Sequence, residues 1–278
     1  MGNVIARNGG YGVRMLSDNE RVAYTEIRQS SFERNDGPSI EHFHNGEMGG
    51  PHVPDPPRML SALALEQQAS LRIGPRATGP VDVFSTTACE GGHADGFYRL
   101  SVEGTAGASG TVLLDYALLP ISTAEQATGL YLSTTSTSEG ETAATSAFSN
   151  CLRIAAEGNS LEQFLIDGQT GDVFDGLGLS LNVTSNSSTS SSFSKRAEGT
   201  LYISRYDLAP DNNTFDGLVA STDDGTIIEP NVVSSDRYWT VQTDSLDGLV
   251  YTACVDISGL DGVTAPGQLA LARRDDLG

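Results

Sequence analysis

The chain has 278 residues, 38% hydrophobic and 19% charged, with 16 Lys+Arg against 36 Asp+Glu for a net charge of −20. That length supports one large domain or two modest ones with a real core. The negative field excludes a protein that wraps nucleic acid through its phosphates, opposes docking on an anionic membrane, and leaves no sequence-specific nucleic-acid partner to expect. No run approaches about 20 apolar residues, so no membrane span is expected. The best stretch, 111–121, is interrupted by Asp115 and Pro120.

The charge is uneven along the chain. Residues 1–76 hold eight Arg against nine acids, a net −1, and residues 77–278 hold eight basic residues against 27 acids, a net −19. Lys195 is the only lysine. Met1 to Arg7 lack the apolar stretch of a secretion signal, so no classical secretory route is expected.

The opening 76 residues read as an irregular, extended arm. Ser17-Asp18-Asn19-Glu20 fits a capping box for a short helix over 18–30, while Val22-Ala23-Tyr24-Thr25 reads equally well as strand. From Asn35 to Arg58 the text is rich in Gly, Pro, His and Asn, and Pro51, Pro54, Pro56 and Pro57 impose extended or turn backbone. Such a segment cannot bury its own core and is expected either to be disordered or to lie on something else, its own body or a neighbouring subunit. Arg7, Arg14, Arg21 and Arg28 fall seven apart, and with Arg34 they are the expected interface residues, paired with carboxylates of the next copy. Met59 to Ser70 carries good helix formers but could equally open the first strand of the body.

Residues 77–278 read as an all-β body, a β-sandwich or jelly roll. Short runs at 81–86, 97–103, 111–119, 130–135, 147–155, 163–166, 177–184, 199–206, 226–228, 238–243, 249–257 and 268–273 are separated by Gly, Asp, Asn, Ser and Thr. Leu201 to Tyr206 and Val250 to Ile257 alternate apolar and mixed faces, and Asp167-Gly168 and Asp224-Gly225 look like turns. Residues 184–194 form a Ser/Thr-rich stretch that reads as a long loop. No repeat of 20–50 residues stands out.

Chemistry-bearing patterns are sparse. His42, His44 and Glu47 form a His-x-His with a nearby acid, a weak metal candidate and loosely cupin-like. The gap to Glu47 is short for a cupin, and no second half-motif with a later His follows. Asp211, Asn213 and Asp216 space oxygen ligands closely enough for a structural calcium but lack the EF-hand pattern; no other cofactor is expected. Cys89 and His93 are four apart without an orienting third group. Three widely spaced cysteines (Cys89, Cys151 and Cys254) do not make a disulfide framework and are expected as small half-buried residues, with a single bridge as the alternative. Sugar clefts usually show aromatic platforms, and Trp239 is the single tryptophan.

The resulting expectation is a non-enzymatic structural subunit of a virus or phage particle, located in the virion and made in the host cytoplasm. Its expected partners are copies of itself and other particle proteins. The alternatives are a surface or secreted β-sandwich module that binds carbohydrate, and a jelly-roll enzyme with a metal at His42 and His44.

Overall fold

A computed structural model describes residues 3–17, 25–44, 47–48, 53–74, 79–89, 96–103, 110–138, 143–186, 198–209, 220–221, 227–228, 237–244, 246, 249–258 and 260. The fold is almost entirely β, with a single four-residue helix among these residues. It parts into two compact units, one running to Glu157 and the other beginning at Gly158. The chain therefore divides far from the expected boundary at 76/77. The residues on either side of that boundary share one core, and the break comes at a turn where Gly158 takes φ +83°.

The first unit opens with β1 (Val4–Ala6), β2 (Val13–Ser17), β3 (Ser31–Glu33), β4 (Ile40–His44) and β5 (Glu47–Met48). β1 runs parallel to β3, and β2 runs parallel to β4. Both pairings hold one offset, since Val4 faces Ser31 and Val13 faces Ile40. The bends between the strands keep that offset too. Arg7 N donates to Glu33 O (3.0 Å), Asp36 N to Asn8 O (3.0 Å), Gly37 N to Gly10 O (2.9 Å) and Gly12 N to Pro38 O (3.1 Å).

Residues 3–17 are thus laid along residues 30–44 as two stacked turns of a parallel coil. The corner has its own chemistry. Arg7 and Arg34 both adopt left-handed backbone (φ 58° and 53°), and the Asn8 side-chain amide donates to Asn35 Oδ1 at 2.9 Å across a separation of 27 residues. The sequence carries the cause as Arg7-Asn8-Gly9-Gly10 and Arg34-Asn35-Asp36-Gly37. Asn stacks on its counterpart, and the small or turn-forming residues after it let the chain swing round. This is a repeat that reading the text alone misses.

Two four-stranded sheets complete the unit. β6 (Met59–Ala64), β7 (Gln68–Ile73), β10 (Gly110–Asp115) and β13 (Ala155–Ala156) form one, in the order β10-β7-β6-β13. β8 (Val81–Thr86), β9 (Phe97–Val102), β11 (Tyr131–Ser136) and β12 (Leu152–Arg153) form the other, in the order β12-β11-β8-β9. They enclose a core of Met59, Leu71, Ile73, Val83, Leu114, Leu132 and Ile154. Met59 to Ser70 is a strand hairpin here, closed by Leu65 N donating to Gln68 O at 2.8 Å. Burial at five of the six β6 positions overrides the helix preference of its Ala and Leu residues. The helix α1 (Ala124–Ala127) is one turn, capped by Thr123 Oγ1 accepting from Gln126 N. Residues 25–30 are not helical, and residues 18–24 of the expected 18–30 helix lie outside the described residues.

The second unit is a sandwich of two three-stranded sheets. β14 (Ser160–Leu165), β17 (Gly199–Tyr206) and β20 (Tyr238–Asp244) pair in the order β14-β17-β20. β15 (Gly171–Gly176), β16 (Leu179–Asn186) and β21 (Leu249–Val255) pair in the order β15-β16-β21. A short hairpin, β18 (Ala220–Ser221) with β19 (Ile227–Ile228), belongs to this unit as well. Leu165, Phe174, Leu181, Val183, Leu201 and Ile203 fill the space between the two sheets. β15 and β16 are joined by Leu177 and Gly178, both at positive φ (55° and 72°), the twist a two-residue hairpin requires. Gly168 likewise turns at φ 74°, as Asp167-Gly168 predicts. The expected turn at Asp224-Gly225, the strand at 268–273 and most of the Ser/Thr-rich stretch lie outside the described residues.

Candidate assembly surface

The opening segment is built into the first unit. Phe32 is 1% exposed and packs edge-on against Phe84 (centroids 6.4 Å apart) and Phe148 (5.4 Å), with Met15 and Ile40 in the same cluster. Phe32 N also donates to Gly96 O at 2.9 Å, which joins the leader to the body's backbone.

Thr145 anchors three further leader positions. Its N–H donates to Thr25 O (3.1 Å), its hydroxyl accepts from Ile27 N (2.8 Å), and its carbonyl oxygen lies 2.7 Å from His42 Nε2. Asp82, 1% exposed, holds the neighbouring stretch. Its carboxylate accepts from Gln29 N at 2.9 Å and from the Ser101 hydroxyl, with Arg28 Nη2 3.8 Å away.

This placement redirects the expected interface arginines. Arg14 Nε sits 3.0 Å from Glu41, Arg28 lies between Glu26 and Asp82, and Arg34 Nε is 3.5 Å from Glu33. Each of these three finds a carboxylate within its own chain: the coil register brings Glu41 to Arg14, β8 supplies Asp82 to Arg28, and Arg34 uses its neighbour Glu33. Arg7 is exposed at the corner, and Arg21 lies outside the described residues.

Of the weak metal candidates, His44 of β4 pairs in backbone register with Glu47 of β5. His42, however, is buried against the Thr145 carbonyl, which uses its Nε2 as a hydrogen donor. Burial pushes its pKa below the ordinary 6.5, with the bond to Thr145 opposing. No group of three or more His, Cys, Asp or Glu side chains is placed to hold a metal among the described residues. Asp211, Asn213 and Asp216 lie outside those residues.

The cysteines differ from expectation. Cys89 and Cys151 form a disulfide with Cα atoms 6.2 Å apart, tying the end of the β8 arm to the entry of β12, while Cys254 is free and exposed. The fold brings together two thiols 62 residues apart, which linear spacing does not reveal. The bond also removes Cys89 as a nucleophile for any pairing with His93, a residue outside those described. Trp239 offers no open platform: its indole N–H donates to Leu177 O at 2.9 Å and the Arg237 guanidinium lies 6.0 Å from its ring. Tyr206 and Tyr238 stack on each other at 4.6 Å.

The second unit presents a different kind of surface. β14 and β15 are the outer strands of their two sheets on the same side of the sandwich, and an open groove runs between them. Leu161, Val173 and Phe174 line it, with Glu162, Asp172 and Asp175 adding three carboxylates. Beside it Phe164 is 56% exposed and Ile166 58%. Alternation alone does not flag this surface, because β14 departs from a regular in–out pattern.

No protein-family model, curated protein or solved structure matches this chain.

Proposed function

We propose that this chain is a non-enzymatic structural subunit of a virus or phage particle, a coat, head-decoration or spike-base component that joins copies of itself and other particle proteins. Its place is the virion, after synthesis in the host cytoplasm. One observation carries the reading: an outer strand of an acidic β-sandwich leaves Leu161, Phe164 and Ile166 in solvent beside a groove. Monomeric β proteins usually blunt such edges with charge, proline or a covering loop, so an apolar edge left open among the described residues suits a partner. The route of assembly differs from a swinging arm. With Arg14, Arg28 and Arg34 engaged inside the chain, contact between subunits falls to preformed surfaces.

A second reading has one observation in its favour. The Cys89–Cys151 disulfide suits an oxidising compartment, as for a surface-displayed or secreted binding module. Light scattering on the purified full-length protein, followed by negative-stain microscopy, separates the two readings. A particle subunit gives symmetric or filamentous assemblies. A monomer that binds on a glycan array supports the second reading and removes the first.

A further inference from the structure

The molecule carries two open strand edges of opposite character. The first is the outer turn of the N-terminal coil. Among the described residues β1 pairs only with β3, and β2 only with β4. Asn3 O and Arg7 N bond to the inner turn, as does Val13 N. In a parallel ladder alternate residues face opposite sides, so Val4, Ala6 and Leu16 aim their main-chain groups outward. Val4 and Leu16 are 62% and 64% exposed. Residues 3–17 contain Arg7 and Arg14 and no acid. Arg14 is bridged to Glu41, and Arg7 is the exposed cation of this turn, with Glu33 and Asp36 on the adjoining inner turn.

The second edge is β14. It pairs with β17 on one side only among the described residues, in a register where Arg205 N donates to Asn159 O. Counting from that bond, Leu161 and Leu165 face β17, and Glu162 and Phe164 aim their N–H groups away. Among the described residues the adjoining groove holds Glu162, Asp172 and Asp175 and no basic side chain.

We infer that these two edges are complementary halves of one contact: the β1–β2 turn of one copy docks along the β14–β15 groove of a second copy. Backbone meets backbone by strand addition, Val4 and Leu16 meet Leu161 and Phe164, and the Arg7 guanidinium meets the acidic groove. A second copy is the occupant because every chain carries both halves, an open turn that bears an exposed arginine and an open edge beside three carboxylates. The contact is heterologous. Each contact joins one copy's turn to another copy's groove, so assembly runs head to tail into a closed ring or a filament. The inference rests on the particle-subunit reading and assigns its contact surface.

The test uses two full-length variants at exposed positions, Leu16→Glu and Phe164→Glu, with light scattering at low salt. The wild type is expected to grow in mass with concentration. Each variant alone is expected to lose every species above monomer mass. Mixed together they should give one-to-one dimers and nothing larger, because only the intact turn of Phe164→Glu and the intact groove of Leu16→Glu remain to pair. Variants that assemble like the wild type overturn this inference alone, and so does a mixture that stays monomeric. A wild type that is monomeric throughout overturns both this inference and the particle-subunit reading.

Discussion

His42 Nε2 lies 2.7 Å from the main-chain oxygen of Thr145, across 103 residues of chain. The ring joins the second turn of the N-terminal coil to the segment that flanks β11, so the protonation of one imidazole bears on how the leader is held. An Nε2–H that donates to a carbonyl leaves Nδ1 to take up any further proton, and that would place a positive charge inside the unit. Burial is the larger influence and lowers the pKa below 6.5. The unfolded chain therefore binds its proton first as pH falls. Stability is complete above the unfolded value and declines as pH drops through 6.5 towards the lower folded value. Replacing His42 with Gln, which can still donate to Thr145, should flatten the slope of the urea midpoint between about pH 7 and 5. An unchanged slope would place the titrating group elsewhere.

Phe32 links the leader to the body. Its ring is sealed between Phe84 and Phe148. Phe32→Ala should cost the first unit about 3–5 kcal/mol by urea unfolding, the usual range for an aromatic removed from a packed core. A cost below about 1 kcal/mol would mean that the segment contributes little to the core, as a loosely attached arm would.

Gly12 makes the closest approach between the two coil turns. A Cβ there would stand 2.6 Å from Ser39 O and 3.1 Å from the Phe32 ring. Backbone cannot yield as a flexible side chain does, so Gly12→Ala should destabilise the first unit by about 1–3 kcal/mol. Gly10→Ala, with nothing within 4 Å of the added carbon, serves as the control and should cost much less.

The Cys89–Cys151 bond predicts one reactive thiol in the native protein, Cys254, and three after reduction and unfolding. Reduction should lower the stability of the first unit by about 2–4 kcal/mol, since the bond closes a long loop in the unfolded chain. Three reactive thiols in protein purified without reductant would contradict the pairing.

The all-β character was legible because burial alternates where the text alternates. Gln68 to Ile73 reads half-buried then buried at successive positions, β17 coincides with its expected run and β21 ends two residues short of its own. β6 was ambiguous because its Ala and Leu residues suit a helix equally, and only long-range burial decides between them. The coil was hidden because its two turns share little beyond Arg-Asn-x-Gly at a separation of 27; a search for paired left-handed corners would have found it. Arg14, Arg28 and Arg34 meet carboxylates of their own chain rather than those expected from the next copy, and for Arg14 the reason is long-range, since Glu41 stands one coil turn away. The groove beside Phe164 was not legible because it depends on which strands end up outermost in each sheet, a property of topology rather than of local pattern.

Hydrogen exchange on dilute, monomeric full-length protein bears most directly on the nature of the leader. If residues 25–44 belong to the first unit, the amides of Phe32 and Ile27 exchange slowly in the monomer and at the same rate once copies associate. Fast exchange in the monomer, with protection gained only on assembly, would contradict the fold described here and restore a free arm that orders on a neighbour.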